Sequence, residues 1–508
     1  MNIINQPTQL GDLRSVSGDK GCESTQPSAQ LSGGDDPGPG SMPGEAGCAP
    51  RADLWQIYHE VACEHPAEFN RALQHDLARG QQVVALRLDT ATRLGLDPDH
   101  ARSDEVGDRA LSLVTLQDVD CVLRGVDLAA WPVHVHAGSA VLPFFAMLDA
   151  WLMEHGQSAK VLRGAVLGDP ITEWLRRGTL PGGLSRAYEG MATLTKWSEK
   201  TGSPLRTVGV QAALWAEVGR SAEQELAFGL ATGVDYLRAL GKRGVAVDRG
   251  APRFVFTFAL GSWCYAEVAK LRAARRLWAR AVAEMGGAAD AQRLLCHGRI
   301  AGGGAANADP QANLLRVTSA TFAGAVGGCA GLHVEANGEM PDDLLQRLKE
   351  NVGSGAGEAG QPDCAAGPAE ETCRVEALSR QLEERAWALF QEVEQRGGMA
   401  AAVSIGFPQE LVEHGPLERL TPAELTTGMP FALHRAREIA LLRRSTARAR
   451  GREILARLGE NQRANARTKM AALLDAFACG ATLGEAARVL YQGGTGVPAI
   501  KPLRVGRH

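Results

Sequence analysis

His134 and His136 stand two residues apart in the apolar run PVHVHAG (132–138). Side chains on a strand alternate between its faces, so both imidazoles share one side. Two imidazoles on one face can supply ligands to a catalytic divalent metal, as in metal-dependent hydrolase barrels, provided later strand ends add more. The runs LRTVGVQAAL (205–214) and FVFTFALGS (254–262) offer neither His nor Lys, and only His297 is placed to help. Two polar groups lining a barrel interior is the simpler reading.

His297 lies in RLLCHGRIAG (293–302), ahead of a flexible glycine run. Taken as the C-terminal end of a strand, it projects where barrel active sites form, and the glycines let a ligand approach the backbone. A histidine there donates a hydrogen bond to a substrate carbonyl or acts as an acid. A structural, hydrogen-bonded histidine is the competing reading, and the residues alone leave both open. Gly355, Gly357 and Gly360 spell G-x-G-x-x-G, but a dinucleotide fingerprint needs a strand before it and a helix after. This one follows a helix and sits in low-complexity sequence. The region 435–469 carries eleven Arg and Lys against three Glu. Without interleaved aromatics it reads as a solvated helix face or a linker docked on an acidic partner, with no nucleic acid expected.

The elements that must position these residues alternate along the chain. Strand candidates are VVALRLD (83–89), PVHVHAG, VLRGAVLGD (161–169), LRTVGVQAAL, RFVFTFALGS (253–262), RLLCHGRIAG and GLHVEA (331–336). Amphipathic stretches such as AVLPFFAMLDAWLMEHG and YAEVAKLRAARRLWARAVAEMG separate most of them. Short apolar strands alternating with helices indicate a parallel sheet covered on its faces, and seven of them favour an α/β (β/α)8 TIM-type barrel over an open sheet. An eighth strand is expected in ENVGSGAGEAGQPDCAAGPAEETCRVE, where the composition makes it degenerate. Residues 1–50, rich in Gly, Pro, Ser and Asp, read as a disordered tail. Residues 51–400 read as the barrel, and 401–508 as a helical, basic C-terminal extension.

With 508 residues, 45% hydrophobic and 22% charged at a formal charge of −4, the composition is that of an ordinary globular protein. The ten cysteines lack the dense spacing of a stapled secreted domain and read as free thiols in a reducing compartment. No run reaches the roughly 18 apolar residues of a membrane span, and the N-terminus lacks a signal-peptide pattern. A cytoplasmic location and no membrane partner are expected.

Several stretches together resemble the methylmalonyl-CoA mutases. They are EVAKLRAARRLWARAV (267–282) after FTFALGS, ADPQANLLRVTSATFAGAVGGCAGLHVEA (308–336), ELAFGLATGVDYLRAL, LGDPITEWLRRGTLP and CGATLGEAARVL. The resemblance covers roughly 55–490, and Lys270 to Trp278 is its most specific part. It implies an acyl-CoA-binding barrel. The family's His-x-Gln-Thr-x-Gly is here His297-Gly-Arg-Ile-Ala-Gly302, so His297 matches the histidine that faces the thioester carbonyl, and Arg299 replaces the Gln. Arg299 and His333 are the implied substrate-binding positions.

Other parts of the pattern are missing. An Arg-x-Tyr-Ala-Gly-Phe segment of catalytic members has no counterpart near the first strand, since RAYEGMATL (186–194) falls too late. The Glu-Glu pair and Asp-Pro-x-Gly-Gly-Ser segment give way to DCAAGPAEETCRVE. None of the twelve histidines stands in the cobalt-ligating Asp-x-His-x-x-Gly motif, and the chain stops at PLRVGRH, where the family's cobalamin domain would begin. The resemblance is therefore to the small-subunit type, with an impaired site. Adenosylcobalamin would be carried by a large partner subunit of a methylmalonyl-CoA/succinyl-CoA mutase heterodimer of propionate metabolism. The alternatives are a catalytic barrel of another short acyl-CoA mutase with a separate cobalamin-binding subunit, and a metal-dependent hydrolase using His134 and His136.

Overall fold

The structure, a computed structural model, describes residues 56–300, 310–334, 348, 369–412, 429–444, 448–461 and 464–503. The expected tail at 1–50, the G-x-G-x-x-G glycines and the supposed eighth-strand segment up to residue 368 lie outside them. Eight parallel strands form one sheet in the order β1-β8-β7-β6-β5-β4-β3-β2. They are β1 (Gln56–Tyr58), β2 (Val84–Leu86), β3 (Val133–Gly138), β4 (Gly164–Gly168), β5 (Arg206–Val210), β6 (Phe254–Leu260), β7 (Cys296–Ile300) and β8 (Gly331–Val334). With helices between successive strands and β1 brought round to pair with β8, this is a (β/α)8 barrel.

The count of eight is right, but its bookkeeping needs correction. Among the described residues the last strand is GLHV, and the strand absent from the sequence reading is the first, Gln56–Tyr58. Three residues give too little periodicity to register as a strand.

Only the β1–β2 edge lacks a backbone ladder among the described strands. Side chains bridge it. The Gln81 amide oxygen accepts from the backbone N–H of His59 (3.3 Å), and that of Gln82 accepts from the N–H of Ile57 (3.4 Å). Gln81 is fully buried and its amide NH2 donates to the carbonyl of Val83 at 2.9 Å. Amides fit here because one side chain carries both a donor and an acceptor.

β6 shows how the sequence sorts inside from outside. Phe254, Phe256 and Phe258 point outward; the first two rings sit 5.3 and 4.8 Å from Trp278 on the helix Cys264–Glu284. Val255, Thr257 and Ala259 face inward, Val255 packing with Ala165 and Leu167 in the lower barrel. At the top of β6, the Lys270 ammonium donates to Glu225 (2.9 Å) and to the carbonyl of Ala259 (2.6 Å), and pairs with Glu267 (2.8 Å). Glu225 in turn accepts from the N–H of Ala259 at 2.7 Å. One buried ion group thus satisfies both backbone polar groups of Ala259 and ties β6 to the helices Ala222–Gly241 and Cys264–Glu284.

Part of the basic region 435–469 pairs with acids of the barrel. Arg435 pairs with Asp118 (2.8 Å), Arg443 with Asp97 and with Asp99 (2.7 Å), and Lys469 with Glu189 (3.1 Å). Asp97 also accepts from Thr482 Oγ1 (2.6 Å) and the N–H of Gly484 (2.8 Å), which seats the helix Leu483–Tyr491. The acidic partner anticipated for this stretch is therefore the same chain.

Removing one member of a buried ion pair leaves the other uncompensated, at a cost of about 3–5 kcal/mol. Lys270→Met should accordingly destabilise the chain by that order in urea unfolding, while Glu225→Gln/Lys270→Met together should recover part of the loss. An equal loss in both variants would show that the ion group does not act as a unit.

Candidate functional site

The inward side chains of five strands converge in the middle of the barrel. Tyr58 comes from β1, His134 and His136 from β3, Thr257 from β6, His297 and Arg299 from β7, and His333 from β8. The register aligns Tyr58 with His333, His333 with Arg299, and Thr257 with His297. Tyr58, His134, His297 and His333 are 2, 2, 8 and 4% exposed, so these rings meet away from bulk water.

Their contacts form two hydrogen-bonded pairs held by stacking. The Tyr58 hydroxyl lies 3.1 Å from His297 Nδ1. His134 Nε2 lies 3.2 Å from His136 Nε2, and Gln211 bonds the His136 ring from the end of β5. The His134 ring stacks on His297 at 4.8 Å, and Tyr58 stacks on His333 at 5.6 Å. Gly331 makes room: a Cβ there would fall 2.8 Å from the His297 ring. Near the rim, Arg299 Nε pairs with Glu217 at 3.3 Å, and Arg176 reaches the same carboxylate at 3.5 Å. His333 Nε2 lies 3.9 Å from Glu60.

One placement differs from the sequence reading. His297 is the second residue of β7, not its C-terminal end, because the strand begins at Cys296, above Leu295 in the apolar lower layer. It sits within the barrel, with Arg299 one step nearer the rim. His134 and His136 do share a face as expected, and they bond to each other. Among the described residues, no group of three or more His, Cys, Asp or Glu side chains is arranged to hold a metal ion.

Burial sets the charge state. It drives His134 well below the ordinary imidazole range, with the other imidazoles adding to the effect. It takes His136 down to about 3 and, together with the positive charge of Arg206, His297 down to about 4. The Tyr58 phenol is pushed up by burial and then by the Glu60 carboxylate. At neutral pH Tyr58, His134, His136 and His297 are neutral hydrogen-bonding groups, suited to orienting a polar, uncharged group rather than to pairing with an ion.

The sequence reading brought out His134, His136, His297, Arg299 and His333, and the barrel gathers all five. It missed Tyr58 and Glu60 because β1 itself was missed. It missed Gln211 and Thr257 because single polar residues in apolar strands carry no spacing signal. With β1 located, the chain from its last residue onward reads Tyr58-His59-Glu60-Val61-Ala62-Cys63, and the Arg-x-Tyr-Ala-Gly-Phe pattern is absent there too.

The methylmalonyl-CoA mutase family profile matches residues 34–424. The chain belongs to the methylmalonyl-CoA mutase family. It is 29% identical to the methylmalonyl-CoA mutase of Rhizobium meliloti over 444 residues, 84% of this chain and 62% of that protein. It is 29% identical to the Escherichia coli methylmalonyl-CoA mutase over 71% of this chain and 51% of that protein. It is 28% identical to the large subunit of methylmalonyl-CoA mutase from Propionibacterium freudenreichii subsp. shermanii, over 74% of this chain and 52% of the subunit. The chain thus spans between half and two thirds of the length of these relatives. No described helix is long and apolar enough to cross a membrane, and Cys63, Cys121, Cys264, Cys296, Cys329 and Cys479 are free thiols.

The lowered histidine pKa values carry a pH dependence of stability. Above pH about 6.5 the imidazoles are neutral in both the folded and unfolded chain and contribute no slope. Below it the unfolded chain binds protons that the folded chain refuses, so stability falls until the folded values near 4 and 3 are reached. Each such histidine contributes about 1.4 kcal/mol per pH unit in that window. The unfolding free energy of His297→Gln should therefore fall less steeply than that of the unsubstituted chain between pH 6.5 and 4.5. Parallel curves would contradict a neutral, buried His297.

Proposed function

We propose that this chain is the small-subunit type of a heterodimeric, adenosylcobalamin-dependent acyl-CoA mutase that interconverts methylmalonyl-CoA and succinyl-CoA. Its partner is a large, cobalamin-bearing mutase subunit, and its own role is stabilising or regulatory. The observation that carries this reading is the centre of the barrel. Tyr58 and His134 pack against His297, backed by His333 and His136 in turn, and the Arg-x-Tyr-Ala-Gly-Phe segment of catalytic members is missing after β1.

The residues of this chain do not fit a cobalt-ligating role. None of its histidines stands in an Asp-x-His-x-x-Gly motif, and His134, His136 and His297 bond to one another, to Tyr58 or to Gln211. Adenosylcobalamin is accordingly assigned to the partner, where it supplies the radical chemistry of the rearrangement. What this chain contributes is a barrel with a buried centre, with Arg299 and His333 nearer the rim as the positions for an acyl-CoA contact. The soluble heterodimer is assigned to the cytoplasm and to propionate metabolism.

One observation favours a second reading, in which this barrel is itself catalytic and borrows a separate cobalamin-binding subunit for another short acyl-CoA. His297, matching the family histidine that faces the thioester carbonyl, is retained and held neutral.

Co-expression with the large mutase subunit of the same organism separates the two. The small-subunit reading expects a stable heterodimer whose methylmalonyl-CoA turnover changes less than about twofold in His297→Ala, since a group outside the reacting centre adds no transition-state stabilisation. Loss of chain-dependent turnover in His297→Ala, on the order of 100-fold as for other general acid or electrophilic groups, would make this barrel the catalyst.

A further inference from the structure

Two cysteines meet at the start of the last two strands and take no part in the chemistry proposed for the barrel. Cys296 opens β7, and Cys329 stands two residues before β8. The N–H of Ala330 donates to the carbonyl of Cys296 at 2.8 Å, so the two cysteines sit on adjoining stretches of chain. Neighbouring strands lie about 5 Å apart, inside the Cα separation that a disulfide bridges. Gly328, at φ 76°, turns the chain out of the helix Pro310–Val326, and its carbonyl oxygen comes 3.9 Å from Cys296 Sγ. The Cys329 side chain completes the approach, its thiol donating a hydrogen bond to the Cys296 sulfur. Both residues are buried.

The third member of the group is a cation. Arg275, half-buried on the helix Cys264–Glu284, donates to Cys296 Sγ at 3.5 Å and to the Gly328 carbonyl at 2.7 Å. A cysteine that only fills space in a core needs no guanidinium, whereas a sulfur held beside one is favoured as the thiolate, the form that reacts. The hydrogen bond from Cys329 and then the Arg275 charge bring the Cys296 thiol down to about 6 against the opposing effect of burial. The same bond, with burial, pushes the Cys329 thiol up. The charged and titratable groups facing the two sulfurs are Arg275, Lys270 and the Tyr58 phenol. At neutral pH Cys296 is therefore the nucleophile, and Cys329 keeps its hydrogen.

We propose that Cys296 and Cys329 form a redox-active dithiol, in which peroxide oxidises Cys296 and Cys329 resolves it as a disulfide between β7 and the entry to β8. The Cys296 thiolate attacks one oxygen of hydrogen peroxide; the S–O bond forms as the O–O bond breaks, and hydroxide leaves. The Cys329 sulfur then attacks the Cys296 sulfenic acid. The S–O bond breaks, and the departing hydroxide takes the Cys329 proton as water. Together the two sulfurs lose two electrons, which reduce the peroxide to one water and one hydroxide. A dithiol reductant reverses the change by thiol–disulfide exchange. Peroxide is uncharged and little larger than water, and half-buried Arg275 marks the side from which it reaches the sulfur. Neither an acyl-CoA nor a partner subunit is needed for this chemistry.

The test is mass spectrometry of the folded full chain after graded addition of hydrogen peroxide, with the remaining thiols blocked by N-ethylmaleimide before digestion. A linked Cys296–Cys329 peptide should accumulate at the lowest doses, ahead of oxidation at Cys63, Cys121, Cys264 or Cys479, and dithiothreitol should abolish it. In Cys329→Ser the reaction should stop at the Cys296 sulfenic acid, which dimedone traps. In Arg275→Gln, with folding verified by the thermal midpoint, linking at about pH 6 should slow on the order of tenfold, because the sulfur returns toward the ordinary thiol range. Absence of the linked peptide from the wild-type chain while the other thiols oxidise overturns the dithiol, whether or not either variant folds. A link that forms only in urea overturns it as well, since the unfolded chain no longer holds the sulfurs and Arg275 together. Unchanged linking in a folded Arg275→Gln overturns the assignment of Cys296 as a thiolate held by that cation.

Discussion

Imidazoles can be buried inside a parallel barrel only if they stay neutral, because a charged ring in that environment would lack the water that stabilises it. This one requirement organises the centre of the molecule. Neutral rings must satisfy their N–H groups locally, so His134 bonds to His136 and His297 bonds to Tyr58. The rings must also pack, and they do so by stacking on one another. Charge is displaced to the rim, where Arg299 and Arg176 share Glu217. The lower barrel is left to Ala165, Leu167, Val255 and Leu295. The interior thus grades from apolar at the base, through neutral polar groups, to ionic at the mouth.

The shell around this interior is held by ion groups placed where strands meet helices. Lys270 with Glu225 fastens the top of β6, and Asp169 joins the β4 and β5 ends by accepting from the N–H of Gln211 at 2.8 Å while Tyr236 donates to it at 2.5 Å. Gln211 then contacts the His136 ring, so a bond that closes the scaffold also orients a residue of the interior. Outside, arginines from the last hundred residues fasten the helices there to the sector around β2 and β3. The charge of these arginines is structural.

The fold was legible where the chain repeats itself, and the site where chemistry-bearing residues fall into strands long enough to see. The alternation of Val133, Val135 and Ala137 with His134 and His136 announced both a strand and a shared face. The outward phenylalanines of β6 did the same. β1 was illegible because Gln-Ile-Tyr is too short to show a period, and Tyr58 and Glu60 were lost with it. The depth of His297 was misjudged because the apolar run begins before the hydrogen-bonded strand does, and Leu295 belongs to the interior below it. Thr257 and Gln211 matter only through neighbours distant in sequence, which spacing along the chain does not encode.

The pairing of β1 with β8 has a consequence for how the protein is made. Its first strand has its only backbone ladder with the last, roughly 275 residues further along, and chains emerge from the ribosome at about 5–20 residues per second. For tens of seconds the nascent barrel is therefore an open, curving sheet, with the Gln-Ile-Tyr segment joined to the β2 side by two glutamine side chains and by the packing of Tyr58 with Val83 and Ala85. During that interval the apolar edge of the growing sheet is exposed to any other strand in reach. Shielding the unfinished edge falls to whatever meets the chain first, whether a chaperone or another subunit being synthesised beside it.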